Sequence, residues 1–70
     1  MSGQSHYDTE SLEWSRSFRQ GEWVAVARRD ERRGVWLLSA IDHNALTLTG
    51  ECDGAISPEA ALDRAEGLAT

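Results

Sequence analysis

The segment over residues 23–41, WVAVARRDERRGVWLLSAI, constrains this chain most: two apolar runs flank a charged stretch that ends in Gly34. In the first run Trp23, Ala25 and Ala27 alternate with Val24, Val26 and Arg28, the period-two pattern of a strand. Residues 30–33 interrupt the apolar pattern and Gly34 offers a flexible exit, so a four-residue loop is expected to join the runs. The second run, residues 35–41, is apolar on both parities, as a central strand covered on two sides should be. This spacing predicts Ala27 beside Trp36, Ala25 beside Leu38 and Trp23 beside Ala40. A slip of one residue would exchange the faces of the second strand.

The flanking segments extend the same pattern. Over residues 11–19 Leu12, Trp14 and Phe18 share one parity, while Glu13, Ser15, Ser17 and Arg19 take the other. A helix would leave Leu12 well off the face of Trp14 and Phe18, so a strand is expected. Gln20-Gly21 makes a two-residue turn, because glycine accepts positive φ without a Cβ clash. It sets Phe18 opposite Trp23, Arg16 opposite Ala25 and Trp14 opposite Ala27. Downstream, Asp42-His43-Asn44 supplies turn residues. Over residues 45–49 Leu46 and Leu48 then alternate with Thr47 and Thr49, pairing Leu46 with Ala40 and Leu48 with Leu38. The core face so defined holds Leu12, Trp14, Phe18, Trp23, Ala25, Ala27, Trp36, Leu38, Ala40, Leu46 and Leu48.

Residues 50–55 read as a polar connection with a turn at Asp53-Gly54. Ser57-Pro58-Glu59 has the form of a helix start, with serine at the N-cap, proline at the first helical position and an acid in the first turn. Ile56 before the cap can pack on Ala61 as a hydrophobic staple. Ala61, Leu62, Ala65, Leu68 and Ala69 form one apolar stripe at helical spacing. The expected fold is therefore α+β, a four-stranded antiparallel meander sheet with one C-terminal helix packed on one face (ββββα). A flexible tail is expected over residues 1–9 and a single small domain over residues 10–70.

Seventy residues bury only about 60% of the surface exposed on unfolding, so a partner or second copy is a plausible supplement to the core. Cys52 is the sole cysteine. No intrachain disulfide can form, and one cysteine with two distant histidines is a poor zinc set. With no apolar run of membrane-spanning length and no signal-like start, a cytoplasmic protein without cofactor or membrane partner is expected. The net charge of -5 argues against non-specific nucleic-acid binding. Charge is also unevenly spread. Arg16, Arg19, Arg28, Arg29, Arg32 and Arg33 are roughly balanced by nearby acids, whereas residues 37–70 carry Arg64 against Asp42, Glu51, Asp53, Glu59, Asp63 and Glu66.

Three surfaces stand out. The parity opposite the core gathers Val24, Val26, Val35, Leu37 and Ile41, bordered by Ser15, Ser17, Thr47 and Thr49. An apolar patch with a polar rim on a small protein points to an interface, self-association included. Glu59, Asp63 and Glu66 fall opposite the helix's apolar stripe and form an acidic ridge suited to a basic partner. Arg28, Arg29, Arg32 and Arg33 crowd the hairpin tip, where guanidinium forks suit phosphate or an acidic protein surface. His43 beside Asp42 and the thiol of Cys52 are the one suggestion of catalysis, read as a turn residue and an unreactive thiol.

Four antiparallel strands followed by a helix entered through Ile56-Ser57-Pro58-Glu59 resemble the coactivator-type and PUR-type single-stranded nucleic-acid-binding domains. The resemblance is one of element order and helix entry. It implies an alternative function, single-stranded nucleic-acid binding through the Arg-rich hairpin. Those domains bind through basic strands bearing aromatics, whereas this chain is acidic and its tryptophans share the core parity. The leading expectation is a small acidic, non-enzymatic protein-protein interaction module, a regulator, adaptor or inhibitor of the size that phages and mobile elements encode. It would act through the apolar sheet face and the acidic helix, with a protein partner or as a homodimer.

Overall fold

The computed structural model describes residues 3–70. Among them the chain forms β1 (His6–Asp8), β2 (Glu13–Phe18), β3 (Trp23–Asp30), β4 (Val35–Asp42), β5 (Thr47–Asp53) and α1 (Pro58–Gly67). The strands make one antiparallel sheet in chain order, and the helix follows it. The α+β meander is as expected, with five strands rather than four. The additional strand comes from the stretch read as a tail: His6, Tyr7 and Asp8 pair with Ser15, Trp14 and Glu13. Its three residues are all exposed, so it carries no buried alternation to announce it. Residues 1 and 2 of that expected tail lie outside the described residues.

Between β2 and β3 the expected register holds, with Phe18 opposite Trp23, Arg16 opposite Ala25 and Trp14 opposite Ala27. Gln20 and Gly21 both have positive φ, 58° and 84°, and Glu22 N–H closes the turn on the carbonyl of Arg19. That combination is the hairpin turn whose twist matches the strands it joins. The next two registers differ from expectation by two residues. Ala27 faces Leu38 rather than Trp36, and Ala40 faces Leu48 rather than Leu46.

One physical cause accounts for both shifts. Asp30 and Asp42 are the last residues of their strands, and their carboxylates organise the loops that follow. Oδ1 of Asp30 accepts the N–H groups of Arg32 and Arg33, and Oδ1 of Asp42 accepts those of Asn44 and Leu46. Each loop therefore starts one residue later, and the left-handed positions fall on Gly34 and Ala45. An even shift preserves parity, so every paired residue keeps its face. β5 also runs on through Asp53, where a polar connection was expected.

The helix matches its sequence signature. Ser57 Oγ accepts the N–H of Ala60 at 3.1 Å, Pro58 occupies the first turn, and Ala61, Leu62 and Ala65 are buried. Opposite them the sheet presents Ala25, Ala27 and Ala40, all fully buried, with Phe18, Trp36 and Leu38 around them. Alanine on both surfaces lets the helix approach closely, and Leu62 fills the space between. Burying a leucine in this way stabilises by about 1.5 to 3 kcal/mol. Trp36 ties the helix entry to β4, its indole N–H donating to the carbonyl of Ile56 at 3.0 Å. Gly50 admits the end of the helix, since a Cβ there would meet Leu68 Cδ2 at 3.0 Å.

Two residues assigned to the core from sequence lie outside it: Leu12 is 57% exposed and Leu46 is 54% exposed. Each immediately precedes a strand at the edge of a turn, beyond the part of the sheet that the helix covers. Trp14, Trp23 and Leu48 pack on the core while remaining partly exposed.

Candidate functional site

The sheet's two faces are unequal. α1 lies over the face of Ala25, Ala27 and Ala40, with contacts to β2, β3, β4 and β5. The opposite face carries Val24, Val26, Val35, Leu37 and Ile41, the residues singled out in the sequence, and no helix or strand lies over it among the described residues. Strand register brings these five together. Val24 faces Ile41, while Ser39 lies between Val26 and Thr49. Ser15 and Ser17 extend the face over β2 and Thr47 over β5. Val24 is 38% exposed and the other four are half-buried. Methyl and hydroxyl groups make up the half of the face around Val24, Val26 and Ile41, whereas at the other end Leu37 stands between Arg28 and Glu51 and Val35 between Asp30 and Asp53.

The acidic helix face has an internal partner. Arg16 sits on the core parity of β2, is 7% exposed, and projects beneath the helix. Its Nε donates to Glu66 Oε2 at 2.7 Å and its two terminal nitrogens to Asp63 Oδ1 at 2.6 Å and Glu59 Oε2 at 3.1 Å. Ser5 Oγ also donates to Glu59 Oε2. Burial opposes the charge of Arg16, but the hydrogen bonds and fields of Asp63 and Glu66 more than offset this and raise its pKa above the ordinary arginine value. Glu59 and Asp63 remain exposed at the surface while Glu66 is half-buried. The row that looked like a solvated ridge is the upper half of an ion-pair cluster clamping α1 to β2.

At one end of the sheet the turn between β1 and β2 stands beside the turn between β3 and β4, and a cleft of about 710 Å³ opens there. Its apolar lining comes from Tyr7, Leu12, Trp14, Trp36 and Leu37, and its charged lining from Arg28, Arg29 and Arg32 together with Asp30 and Glu31. The rings of Tyr7 and Trp14 meet with centroids 5.0 Å apart at a tilt of 48°. Leu12 is held at a φ of 58°, a left-handed conformation that costs an L-residue about 1 to 2 kcal/mol. Arg29 lies 6.0 Å from the centre of the Trp36 ring. Arg33, grouped with these arginines from sequence, is drawn away by a bidentate pair with Glu51, at 2.6 and 3.0 Å. Arg19 lies at the other end of the sheet, over Phe18 and Trp23.

His43 and Cys52 do not meet. Cys52 faces Trp36 near the start of β4 and His43 follows its end, roughly 20 Å away along the strand. Burial raises the pKa of the Cys52 thiol, which keeps it protonated and a poor nucleophile. Among the described residues no group of three or more His, Cys, Asp or Glu side chains is placed to hold a metal ion, and no helix is long and apolar enough to cross a membrane.

Sequence reasoning located the open face and the arginines. It missed Tyr7 and Leu12 as cleft residues and Arg16 as a buried cation. Arg16 did carry a signal: it shares the parity of Trp14 and Phe18, and acids at 59, 63 and 66 form a helical row able to receive it. Comparison with protein-family models, with curated proteins and with solved structures finds no match.

Proposed function

We propose that the protein is a small non-enzymatic interaction module, a regulator, adaptor or inhibitor, that works through the sheet face opposite its helix. One observation carries this reading: Val24, Val26 and Ile41 lie together, with Leu37 and Val35 continuing along β4 between charged neighbours, on a sheet whose other face alone is covered by the helix among the described residues. Leaving such a patch in water is unfavourable, and burying it against another protein recovers that cost.

A second copy of the chain is the occupant whose chemistry fits best. Serine, threonine and valine side chains of similar reach allow two such faces to stack about 10 Å apart, as sheets do in sandwiches. The flat area available, roughly 450 Å² from strand spacing and length, is small for a stable complex, so weak association is expected. The acidic helix contributes less than the sheet face, since Glu59, Asp63 and Glu66 already hold Arg16. Single-stranded nucleic-acid binding is the weaker reading. Arg16 is buried and Arg33 is paired, which leaves Arg19 at one end of the sheet and Arg28, Arg29 and Arg32 at the other without a continuous cationic track.

Sedimentation velocity over a concentration series tests the proposal. A monomer–dimer equilibrium in the native protein, abolished in a folded Leu37→Glu variant, is the expected outcome. A native protein that remains monomeric at high micromolar concentration removes self-association.

A further inference from the structure

We infer that the cleft between the two turns is a docking site for an acidic peptide segment that presents a large apolar side chain beside its carboxylates. Arg28, Arg29 and Arg32 make no ion pair among the described residues, whereas Arg16 and Arg33 do. Their guanidinium donors are therefore available to an anion, and the planar fork matches a carboxylate. Asp30 also lines the cleft, but it makes no ion pair with these arginines and its Oδ1 accepts backbone N–H groups of its own turn.

The rest of the lining includes apolar side chains. Tyr7 is 46% exposed, Leu12 is held outward in a strained conformation, and Trp14 is half-buried against Tyr7. Exposed aromatic and leucine side chains lining one cleft with unpaired arginines form a site with two requirements, a large apolar group and an anion close to it. A volume of about 710 Å³ lies within the range of ligand sites.

A nucleic-acid strand meets these requirements less well. Its affinity comes from many phosphates neutralised in a row. Here Glu31 lines the cleft together with the arginines, and Asp8 and Glu13 stand in register with Arg28. A peptide with two or three carboxylates can avoid those acids, whereas a strand of phosphates would have to pass them. The cleft shares Leu37 and Arg28 with the border of the open sheet face, but peptide binding and dimerisation are read separately, so either can fail without the other.

The test titrates the intact protein with a fluorescein-labelled acetylated peptide, Glu-Asp-Phe-Asp-Glu-Leu, read by fluorescence anisotropy. The control peptide replaces every acid by its amide, and a labelled oligothymidylate forms a third arm. Saturable binding of the acidic peptide, at least tenfold weaker for the amide control, is expected. An Arg28→Gln, Arg32→Gln double variant with unchanged circular dichroism should weaken binding at least tenfold, equivalent to about 1.4 kcal/mol. Tyr7→Ala should weaken it as well, since the apolar lining is needed. No saturation by the acidic peptide up to about 1 mM, a limit of roughly 4 kcal/mol in binding energy, would overturn the inference. So would binding indifferent to the double variant, or oligothymidylate binding tighter than the peptide with the same arginine dependence.

Discussion

The two faces of the sheet are made from the same strands by the same alternation, yet they differ in what they can accept. On the covered face Ala25, Ala27 and Ala40 meet Ala61 and Ala65, and small side chains bring helix and sheet close enough for Leu62 to be fully enclosed. On the open face Val24, Val26 and Ile41 stand among serines and threonines and Val35 and Leu37 among charged residues, and only part of each side chain is buried. Apolar character is therefore a poor guide to which face is the core. The covered face is told apart by a floor of alanines at Ala25, Ala27 and Ala40, which lets the helix approach, ringed by the large side chains of Phe18, Trp36 and Leu38.

That contrast is broken or sharpened by substitutions, the largest first. Leu62→Ala should cost about 2 to 5 kcal/mol in urea unfolding, since its side chain is fully buried and its loss leaves a cavity. Leu37→Ala on the open face should cost under about 1 kcal/mol at concentrations where the protein is monomeric. Equal costs would mean that both faces are equally covered in solution. Next comes the clamp at the helix edge. Glu66→Gln and Arg16→Ala should each destabilise by about 1 to 3 kcal/mol, below the full cost of breaking a buried pair because Glu59 and Asp63 remain exposed to solvent. Arg16→Met should recover part of the Arg16→Ala loss by restoring packing under the helix. If Arg16→Ala proves neutral by urea unfolding, the cluster is decoration and apolar contact alone holds the helix.

Smaller effects follow from the turns. Asp8, Asp30, Asp42 and Asp53 each end a strand, and each accepts the N–H of the residue two positions on. Asp42→Ala should cost about 1 kcal/mol through the loss of its two hydrogen bonds, measurable as a lower urea midpoint with an unchanged slope. The smallest effects are pH-dependent and opposite in sign. Hydrogen bonds from the Glu10 and Ser11 backbone hold Asp8 below the ordinary carboxylate range. Its contribution is present above that range and is lost as pH falls through the lowered value. Burial holds the Cys52 thiol above its ordinary value. Its contribution is present below that value and is lost as pH rises through the raised one. Thermal midpoints across acid and alkaline series should fall at both ends, and the alkaline loss should shrink in Cys52→Ala.

These elements also explain what could be read in advance. The helix was legible to the residue at its start, since Ser57-Pro58-Glu59 is a local signal independent of tertiary contacts. Residues 20 and 21 fixed the β2–β3 register because a two-residue turn permits one pairing. Asp30 and Asp42 misled because aspartate is counted as a loop residue, whereas here it closes a strand with its backbone and opens a turn with its side chain. The open face survived both register shifts because they are even. The cleft was not legible, because Tyr7 and Leu12 reach it only through the pairing of a three-residue exposed strand that leaves no periodic trace.

The claim that the valine, leucine and isoleucine face is an interface is tested most directly by amide NMR with a soluble paramagnetic probe, comparing dilute and concentrated samples. Resonances of Val24, Val26, Val35, Leu37 and Ile41 should be bleached when dilute and protected when concentrated, while the solvent face of α1 stays bleached throughout. Equal bleaching of those five residues at both concentrations, or protection appearing on the helix instead, would contradict it.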